Sequence, residues 1–449
     1  MIITVQGGTA LRRKIGFALL SLLAVLVFGG CAVTVDELYC PPKRSEEYNN
    51  LQSVIESAMY ELSYCAPLAG EYQQTVQMSD LDGDGEQEYL LFAKGTKERP
   101  LRILIFRNTG GSYTLVNTIE SNGTAFDQVE YVQIDGKGGA EIVVGYQIND
   151  QVLRAVTVYT FSGNEVEQLM SVNYTKFLTV DLDKDGRSEL FILRPGQTDT
   201  DNGIAELYGM EDTSMERSNE VSMSRPADNL KRVIVGQMHG GQQAIYAASA
   251  VGETAIITDV YTVNDGMLTN VSFSNESGTS IQTMRNYYVY ADDIDNDGIV
   301  ELPDLISMIS LNGLGQPEKQ DLIRWYSMKP NGEEVDKLYT YHNFVGGWYI
   351  QLESQWTHFL TVQNNGNQYE FYLWNEDRSS ADRIFSIYVL TGANRNEQSI
   401  ESGRFVLHQT DAVIYSASLE DGAMDYGITQ ESLMERFHMI QQDWKTGET

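Results

Sequence analysis

The chain has 449 residues and a strong excess of acidic side chains, with 63 Asp and Glu against 31 Lys and Arg and a net charge of −32 at pH 7. This excess disfavours nucleic acid and anionic lipid surfaces as partners, because both are themselves negatively charged. The length allows two or three domains, and the residue usage is ordinary for a globular protein rich in β-structure.

The first thirty residues have the features of a secretory signal. The basic residues 12–14 precede an apolar run at 15–28, two glycines follow, and no acidic residue occurs in this segment. The order basic, apolar, small predicts a signal peptide at 1–30, and the apolar run is short for a membrane span. Cys31 follows the small residues directly, which resembles the lipobox of bacterial lipoproteins. That resemblance implies cleavage before Cys31, acylation there and a membrane-anchored, extracytoplasmic protein on the cell surface; an uncleaved anchor helix is the alternative.

The segment 31–68 is expected to form an anchor tail and a helix. The helix is predicted at 45–62, with Ser45 as its N-cap, and the two remaining cysteines flank it. An extracytoplasmic location permits a disulfide between Cys40 and Cys65, and two buried thiols are the alternative.

One acidic pattern, D-x-D-x-D-G-x-x-E, occurs three times, at residues 80–88, 181–189 and 293–301. Alternate residues of a tight loop can direct oxygens towards one centre, and oxygen is the ligand that Ca²⁺ prefers. The glycine stands where the chain must turn sharply and a Cβ would obstruct the turn. Four carboxylates in nine residues repel one another unless a cation lies between them. The pattern therefore predicts three Ca²⁺ loops, each shorter than an EF-hand loop, and solvated acidic turns are the alternative.

Degenerate copies of the loop stand between the acidic ones, at residues 131–141 and 233–244. The first has Lys137 at a ligand position and the second has no carboxylate, so both are expected to fold without metal. Short apolar strands flank each copy, including one predicted at 287–290 before the third acidic loop. The copies recur about every 50 residues, and such a period with four strands per unit is typical of propeller blades.

This pattern resembles the FG-GAP/VCBS repeat family, which includes calcium-loop repeats of integrin alpha chains and many bacterial surface proteins. The resemblance covers residues 69–341 and implies a mainly β fold, a β-propeller of about five four-stranded blades with Ca²⁺ in the loops. It also implies that side chains at loop positions one, three, five and nine, and the backbone carbonyl at position seven, bind the ion. These ligands are Asp80, Asp82, Asp84, Glu86 and Glu88; Asp181, Asp183, Asp185, Arg187 and Glu189; and Asp293, Asp295, Asp297, Ile299 and Glu301.

The repeat ends near residue 341, and all five tryptophans lie at or after Trp325. Residues 342–449 are predicted to form a small α+β domain, an antiparallel sheet with a terminal helix at about 429–444. Its aromatic side chains are expected to be core residues, and stacking on sugar rings is the alternative.

The sequence favours a binding protein over an enzyme. Its five histidines have no metal-type spacing, and neither G-x-S-x-G nor H-E-x-x-H occurs. The expected function is a binding or adhesion module for an extracellular protein or glycan ligand. Carboxylate pairs can form in space, so an extracellular carbohydrate-active hydrolase or lyase is the alternative, and a calcium-stabilised scaffold in an envelope complex is a third.

Overall fold

The computed structural model describes residues 46–148, 153–198, 201–287, 289–308 and 321–441. The predicted signal segment (1–30), Cys31 and Cys40 lie outside the described residues. Within these ranges the chain is mainly β-structure, arranged in antiparallel sheets of four or five strands, as the sequence predicts for its class. Among the described residues, no helix has the length and apolar character needed to cross a bilayer.

The described chain divides into two compact units. The smaller contains helix α1 (Glu46–Ala58) and residues 107–115, and in it the Asn50 Oδ1 atom accepts a hydrogen bond from the Tyr113 amide at 2.6 Å. The helix ends at Ala58 rather than at residue 62. Glu61 follows with a left-handed backbone (φ +62°), which an α-helix of L-residues does not continue through.

The larger unit contains the remaining described residues. Apart from 107–115 of β4 and β5, which belong to the smaller unit, it begins with four sheets that follow one another along the chain. Strands pair in sequence order within each sheet, and a short extra strand, β1, shares an edge of β3 with β2. The strands are β1 (Ser63–Tyr64), β2 (Val76–Ser79), β3 (Glu88–Lys94), β4 (Leu101–Thr109) and β5 (Ser112–Ser121); β6 (Ala125–Val132), β7 (Glu141–Gln147), β8 (Arg154–Ser162) and β9 (Glu165–Tyr174); β10 (Lys176–Val180), β11 (Glu189–Arg194), β12 (Ile204–Glu211) and β13 (Ser214–Ser222); and β14 (Leu230–Gln237), β15 (Gln243–Val251), β16 (Ala255–Asn264) and β17 (Met267–Asn270).

Two five-stranded sheets complete the described chain. The fifth sheet has, in spatial order, β18 (Glu301–Ser307), β19 (Asp321–Met328), β20 (Glu334–Asn343), β21 (Trp348–Leu352) and β27 (Phe437–Met439). The sixth has β22 (Leu360–Asn365), β23 (Gln368–Trp374), β24 (Ala381–Thr391), β26 (Val413–Leu419) and β25 (Phe405–Gln409). Short helices α2 (Arg395–Gln398) and α3 (Gln430–Arg436) accompany them, with 3₁₀ turns at Ala227–Asn229, Ile281–Thr283, Ser354–Trp356, Glu401–Gly403 and Ala423–Tyr426.

The strand that follows each of the first four loops is buried on both faces over most of its length. In β15 the residues from Ala244 to Ala250 are all buried, and β3, β7 and β11 have similar buried runs. A strand covered on both faces reads as a continuous apolar run rather than an alternating one. The outer strands, such as β13, are mostly exposed or half-buried.

Among the described residues, five hydrophobic clusters each join one sheet to the next along the chain. Phe92 of the first sheet packs with Phe126 of the second, their ring centroids 5.0 Å apart, and Phe191 of the third lies 5.2 Å from Tyr261 of the fourth. The last cluster joins the fifth and sixth sheets and contains two buried tryptophans, Trp348 and Trp356. Consecutive sheets therefore pack through shared apolar faces, and the core interpretation of those aromatics is confirmed for Trp325, Trp348 and Trp356.

The strand predicted at 287–290 is wrong for its described residues. The preceding backbone at Arg285 pairs with Ile256 of the fourth sheet, and the Arg285 Nε atom donates to the carbonyl of Val289. These contacts curl the segment, so a single bridge between Asp292 and Glu301 stands where a first strand was expected. The fifth sheet consequently starts with the strand after its loop.

The terminal helix predicted at 429–444 is confirmed at Gln430–Arg436 and wrong in the described residues beyond Arg436. Helix α3 ends at Arg436, and the next residues form β27, which pairs with β21. The ring of Phe437 stacks on Trp348 with centroids 5.5 Å apart, so its apolar spacing reflects strand packing. Strand β20 also runs across residue 342, the predicted start of the C-terminal domain, and pairs with β21 beyond it.

Candidate metal-binding loops

The five predicted loops lie side by side in the larger unit. The Ala140 amide of the second loop donates to the Asp80 carbonyl of the first at 3.0 Å, and Ser188 of the third donates to Gln133 of the second at 2.7 Å. Val300 of the fifth donates to Gln237 of the fourth at 2.9 Å. The Lys184 Nζ atom links the third loop to Gly241 of the fourth at 2.5 Å. We call this arrangement the loop row.

A buried apolar residue stands second in every loop and sets the register of the row. These residues are Leu81, Ile134, Leu182, Met238 and Ile294. Met238 makes Gln237 the first residue of the fourth loop, which is therefore one residue shorter than the others.

The three acidic loops share one backbone conformation. Gly85, Gly186 and Gly298 have φ values of +89°, +89° and +86°. Their amides donate to the first aspartate of their own loop at 2.9, 3.0 and 2.9 Å. A side chain at these glycines would be strained, which explains the glycine in the motif.

The ninth residue holds each loop closed. Glu88, Glu141 and Glu301 are buried, and Glu189 is half-buried. In all four, the Oε2 atom accepts a hydrogen bond from the amide of the second loop residue, at 2.7–3.2 Å. This glutamate therefore has a structural role in the second loop too, where a metal is not expected.

Three carboxylates converge in each acidic loop, with one oxygen from each within 4.8 Å of the others. The predicted side-chain ligands outside these groups are Asp84, Asp185 and Glu301. Asp84, Asp185 and Asp297 each accept the amide of the seventh residue, at 2.8–2.9 Å. Binding through the carbonyls of Glu86, Arg187 and Ile299 stays a prediction. The converging groups are Asp80, Asp82 and Glu88; Asp181, Asp183 and Glu189; and Asp293, Asp295 and Asp297.

The electrostatics of these loops favour a cation. Burial, opposed by a backbone hydrogen bond and reinforced by neighbouring aspartates, raises the pKa of Glu189 to about 7. Burial and the nearby Asp295 raise the pKa of Glu301 to about 8. Asp181 Oδ1 and Glu301 Oε1 are buried without a hydrogen-bond partner among the described residues. Buried carboxylate oxygens that lack a hydrogen-bond partner suit coordination of a hard divalent ion such as Ca²⁺.

The second loop substitutes neutral or basic groups for the missing acids. Gln133 Oε1 accepts the Gly136 amide at 2.9 Å, as Asp80 Oδ1 accepts the Gly83 amide at 2.8 Å in the first loop. The Lys137 Nζ atom lies 2.9 Å from Asp135 Oδ2. An ammonium group is thus the resident cation of this loop.

Sequence reasoning missed one further feature, a cleft of about 540 Å³ on the sixth sheet. Tyr372 and Tyr426 line it together with Asp382 and Arg383. The Arg383 guanidinium lies 2.7 Å from Glu370 and 2.7 Å from Glu420, a further lining residue. No sequence motif marks this cleft, because its lining comes from separate strands and a 3₁₀ turn.

The predicted lipidation and disulfide are not tested by the structure. Cys31 and Cys40 lie outside the described residues. Cys65 is half-buried and forms no disulfide with another described residue, and its pairing with Cys40 stays a prediction.

Comparison with known proteins finds no matching family and no matching curated protein. Similar solved structures include the exotype rhamnogalacturonan lyase YesX, with 15% identity over 73% of this chain and 72% of that chain and a TM-score of 0.28. Another is the Bacillus licheniformis rhamnogalacturonan lyase PL11, with 14% identity, 72% of each chain and a TM-score of 0.28. A candidate 6-phosphogluconolactonase from Bacteroides uniformis has 12% identity, 68% of this chain, 82% of that chain and a TM-score of 0.29. Similarity at this level assigns neither an activity nor a ligand.

Proposed function

We propose that this chain is a calcium-stabilised β-propeller of the FG-GAP/VCBS type that is anchored outside the cytoplasm through Cys31 and binds an extracellular glycan or protein. The observation that carries the proposal is the repetition of one loop geometry at three places. Each of the three loops has the same glycine conformation and three converging carboxylate oxygens. Independent acidic turns on a surface have no physical reason to share both features.

The packing of the sheets supports propeller blades. Four sheets have consecutive strands in sequence order, and each shares a hydrophobic cluster with the next. The loop row places equivalent loops of neighbouring sheets against one another, as a radial repeat of blades requires.

The calcium ion would have a structural role. In the first loop Asp80, Asp82 and Glu88 would hold it, and it would supply the positive charge that these carboxylates need. Extracellular Ca²⁺ modules bind with Kd values of about 10⁻⁴–10⁻³ M. At about ten times Kd, each site adds roughly 1.4 kcal/mol to the free energy of unfolding.

Calorimetric titration and thermal melts test this proposal. We expect three bound Ca²⁺ ions and a melting temperature that falls in EDTA. Asp82→Ala and Asp183→Ala should each reduce the EDTA-induced drop in melting temperature by about one third, because each destroys one of three equivalent sites. Asp135→Ala is the matched control in the second loop and should leave that drop unchanged. Absence of calcium binding, or a melt that EDTA does not alter, would contradict the proposal.

The cleft on the sixth sheet favours a glycan as the ligand. Tyrosine rings offer flat apolar faces to sugar rings, and the carboxylates and Arg383 offer acceptors and donors to hydroxyl groups. Binding to an array of bacterial and plant polysaccharides is the test. Tyr426→Ala should weaken binding, while Tyr64→Ala, which also removes an exposed tyrosine, should not.

The same array separates the alternatives. Release of new sugar ends from a bound polysaccharide would favour the hydrolase or lyase, with the carboxylates of the cleft as the candidates. Binding without turnover would favour the module, and binding of no glycan would direct the search to protein ligands.

A further inference from the structure

Lys337 lies against the fifth loop although it comes from β20, which follows in the chain. Its ammonium group forms an ion pair with Asp297 and lies 3.9 Å from Asp295 Oδ2. Both aspartates belong to the group of converging carboxylates that Asp293 completes. The lysine is therefore positioned on the oxygens that a divalent ion would use.

The second loop shows that this fold accepts an ammonium group in place of an ion. Lys137 pairs with Asp135 there, and the loop keeps the closing hydrogen bond from the Ile134 amide to Glu141. Lys137 is the fifth residue of the second loop. Asp297 is the equivalent residue of the last loop, 293–301. The difference is that Lys137 is built into its loop, whereas Lys337 reaches its loop from another strand.

Lys337 neutralises only part of the negative charge of the fifth loop and leaves one buried carboxylate oxygen without a hydrogen bond. Glu301 is fully buried, and its Oε1 atom has no hydrogen-bond partner among the described residues. A single ammonium carries one positive charge, which does not balance Asp293, Asp295 and Asp297. A divalent ion brings twice that charge and several coordination positions.

Arg187 of the third loop differs from Lys337 in which carboxylate it contacts. Arg187 pairs with Asp185, at 2.5 Å, and Asp185 is outside the converging group of its loop. Arg187 thus leaves the three converging oxygens of the third loop accessible to an ion. Lys337, in contrast, contacts members of the group itself.

We propose that Lys337 is a tethered cation that occupies the fifth loop in the absence of calcium and competes with Ca²⁺ for it. The inference rests on the proposed calcium function. It adds that Lys337 lowers the Ca²⁺ affinity of the fifth loop, so that this site loses its ion more readily than it would without the lysine. Calcium binding there requires the ammonium to move away from Asp297, which the long flexible side chain allows.

The test is calcium titration of the mature full-length chain by calorimetry, comparing the wild type with Lys337→Gln. We expect one of the three sites to bind about tenfold more tightly in the variant, because the repulsion between the ammonium and the ion is removed. Lys329→Gln is the control for net charge, since Lys329 pairs with Glu333 and not with an acidic loop. An unchanged isotherm for Lys337→Gln, or an equal gain for Lys329→Gln, would overturn the inference.

Thermal melts give a second readout that a merely structural lysine would not produce. In EDTA, Lys337→Gln should melt below the wild type, because the acidic loop loses its neutralising charge. In saturating Ca²⁺ this deficit should disappear or reverse. A deficit of equal size in both conditions would show that Lys337 only packs against the loop.

Failure of this inference is distinct from failure of the proposed function. Three calcium ions bound equally by the wild type and Lys337→Gln would retain the calcium-stabilised fold and reject the competition. A wild type that binds no Ca²⁺ would reject both.

Discussion

Asp259 is the residue whose removal should cost most in the fourth sheet, where the loop has no carboxylate to hold an ion. The residue is fully buried in β16, and four hydrogen bonds converge on its carboxylate. The Ser224 amide and hydroxyl donate at 2.9 and 2.5 Å, Asn270 Nδ2 at 2.9 Å and the Ser280 hydroxyl at 2.6 Å. These donors tie β16 to β17 and to the segments before and after the fourth sheet.

The magnitude follows from what Asp259→Ala leaves behind. A hydrogen bond to a charged group contributes about 1.5–3 kcal/mol, and these contributions are not additive when the donors share one acceptor. Four buried donors without an acceptor should lower the free energy of unfolding by about 4 kcal/mol, comparable to breaking a buried ion pair. Asp259→Asn keeps the shape and one acceptor oxygen, so we expect about half that loss.

Urea unfolding followed by tyrosine and tryptophan fluorescence measures both variants, in EDTA and in Ca²⁺. The loss should be the same in both conditions, because the Asp259 network contains no predicted calcium ligand. Ser277→Ala, which removes an exposed hydroxyl of the same region, is the control and should change little. A loss below about 1 kcal/mol for Asp259→Ala would refute the claim that this carboxylate organises the fourth sheet.

Three further predictions concern the second loop, a buried histidine and the anchor. Gln133→Asp combined with Lys137→Asp completes the acidic pattern in the second loop and should raise the number of calorimetrically bound Ca²⁺ ions by one; an unchanged number would mean that the pattern alone is insufficient. Burial lowers the pKa of His342 to about 3, against about 6.5 in an unfolded chain, so the unfolded state binds the extra proton and stability falls as the pH drops below 6.5. Between pH 7 and 5 this loss is about 2 kcal/mol, and His342→Phe should remove it in urea titrations at the two pH values; an equal loss in the variant would contradict the assignment. Cys31→Ser should release the protein from membranes after a high-salt and carbonate wash, and continued sedimentation with membranes would exclude acylation as the anchor.

The acidic loops are the part that sequence predicted best, because their chemistry is local. Each pattern predicts a sharp turn at its glycine, and the structure has this turn in all three copies. The hydrogen bond by which the ninth glutamate closes each loop is a finding of the structure alone. The burial of the ninth residue follows from the strand that begins there. The calcium itself, and the family that the pattern resembles, stay predictions.

Contacts between distant segments are the part that sequence did not reveal. Lys337 stands 40 residues after Asp297, and no spacing rule connects a strand residue to a loop of another hairpin. The fourth loop is one residue shorter than the others, and only the burial of Met238 reveals its first residue. The apolar spacing of Leu433 and Phe437 fits a helix as well as a turn into a strand, so it could not reveal that β27 pairs with β21.

The pairing of β27 with β21 determines when the fifth sheet can finish folding during synthesis. Synthesis proceeds from the N-terminus, so β21 emerges well before Phe437–Met439, its partner on that edge. Until then the apolar sequence Trp348–Leu352 presents an open strand edge, the kind of surface that invites pairing with another chain. The fifth sheet is therefore complete only after residue 439 has been synthesised, and a nascent or truncated chain that ends before residue 437 leaves this strand edge open to aggregation.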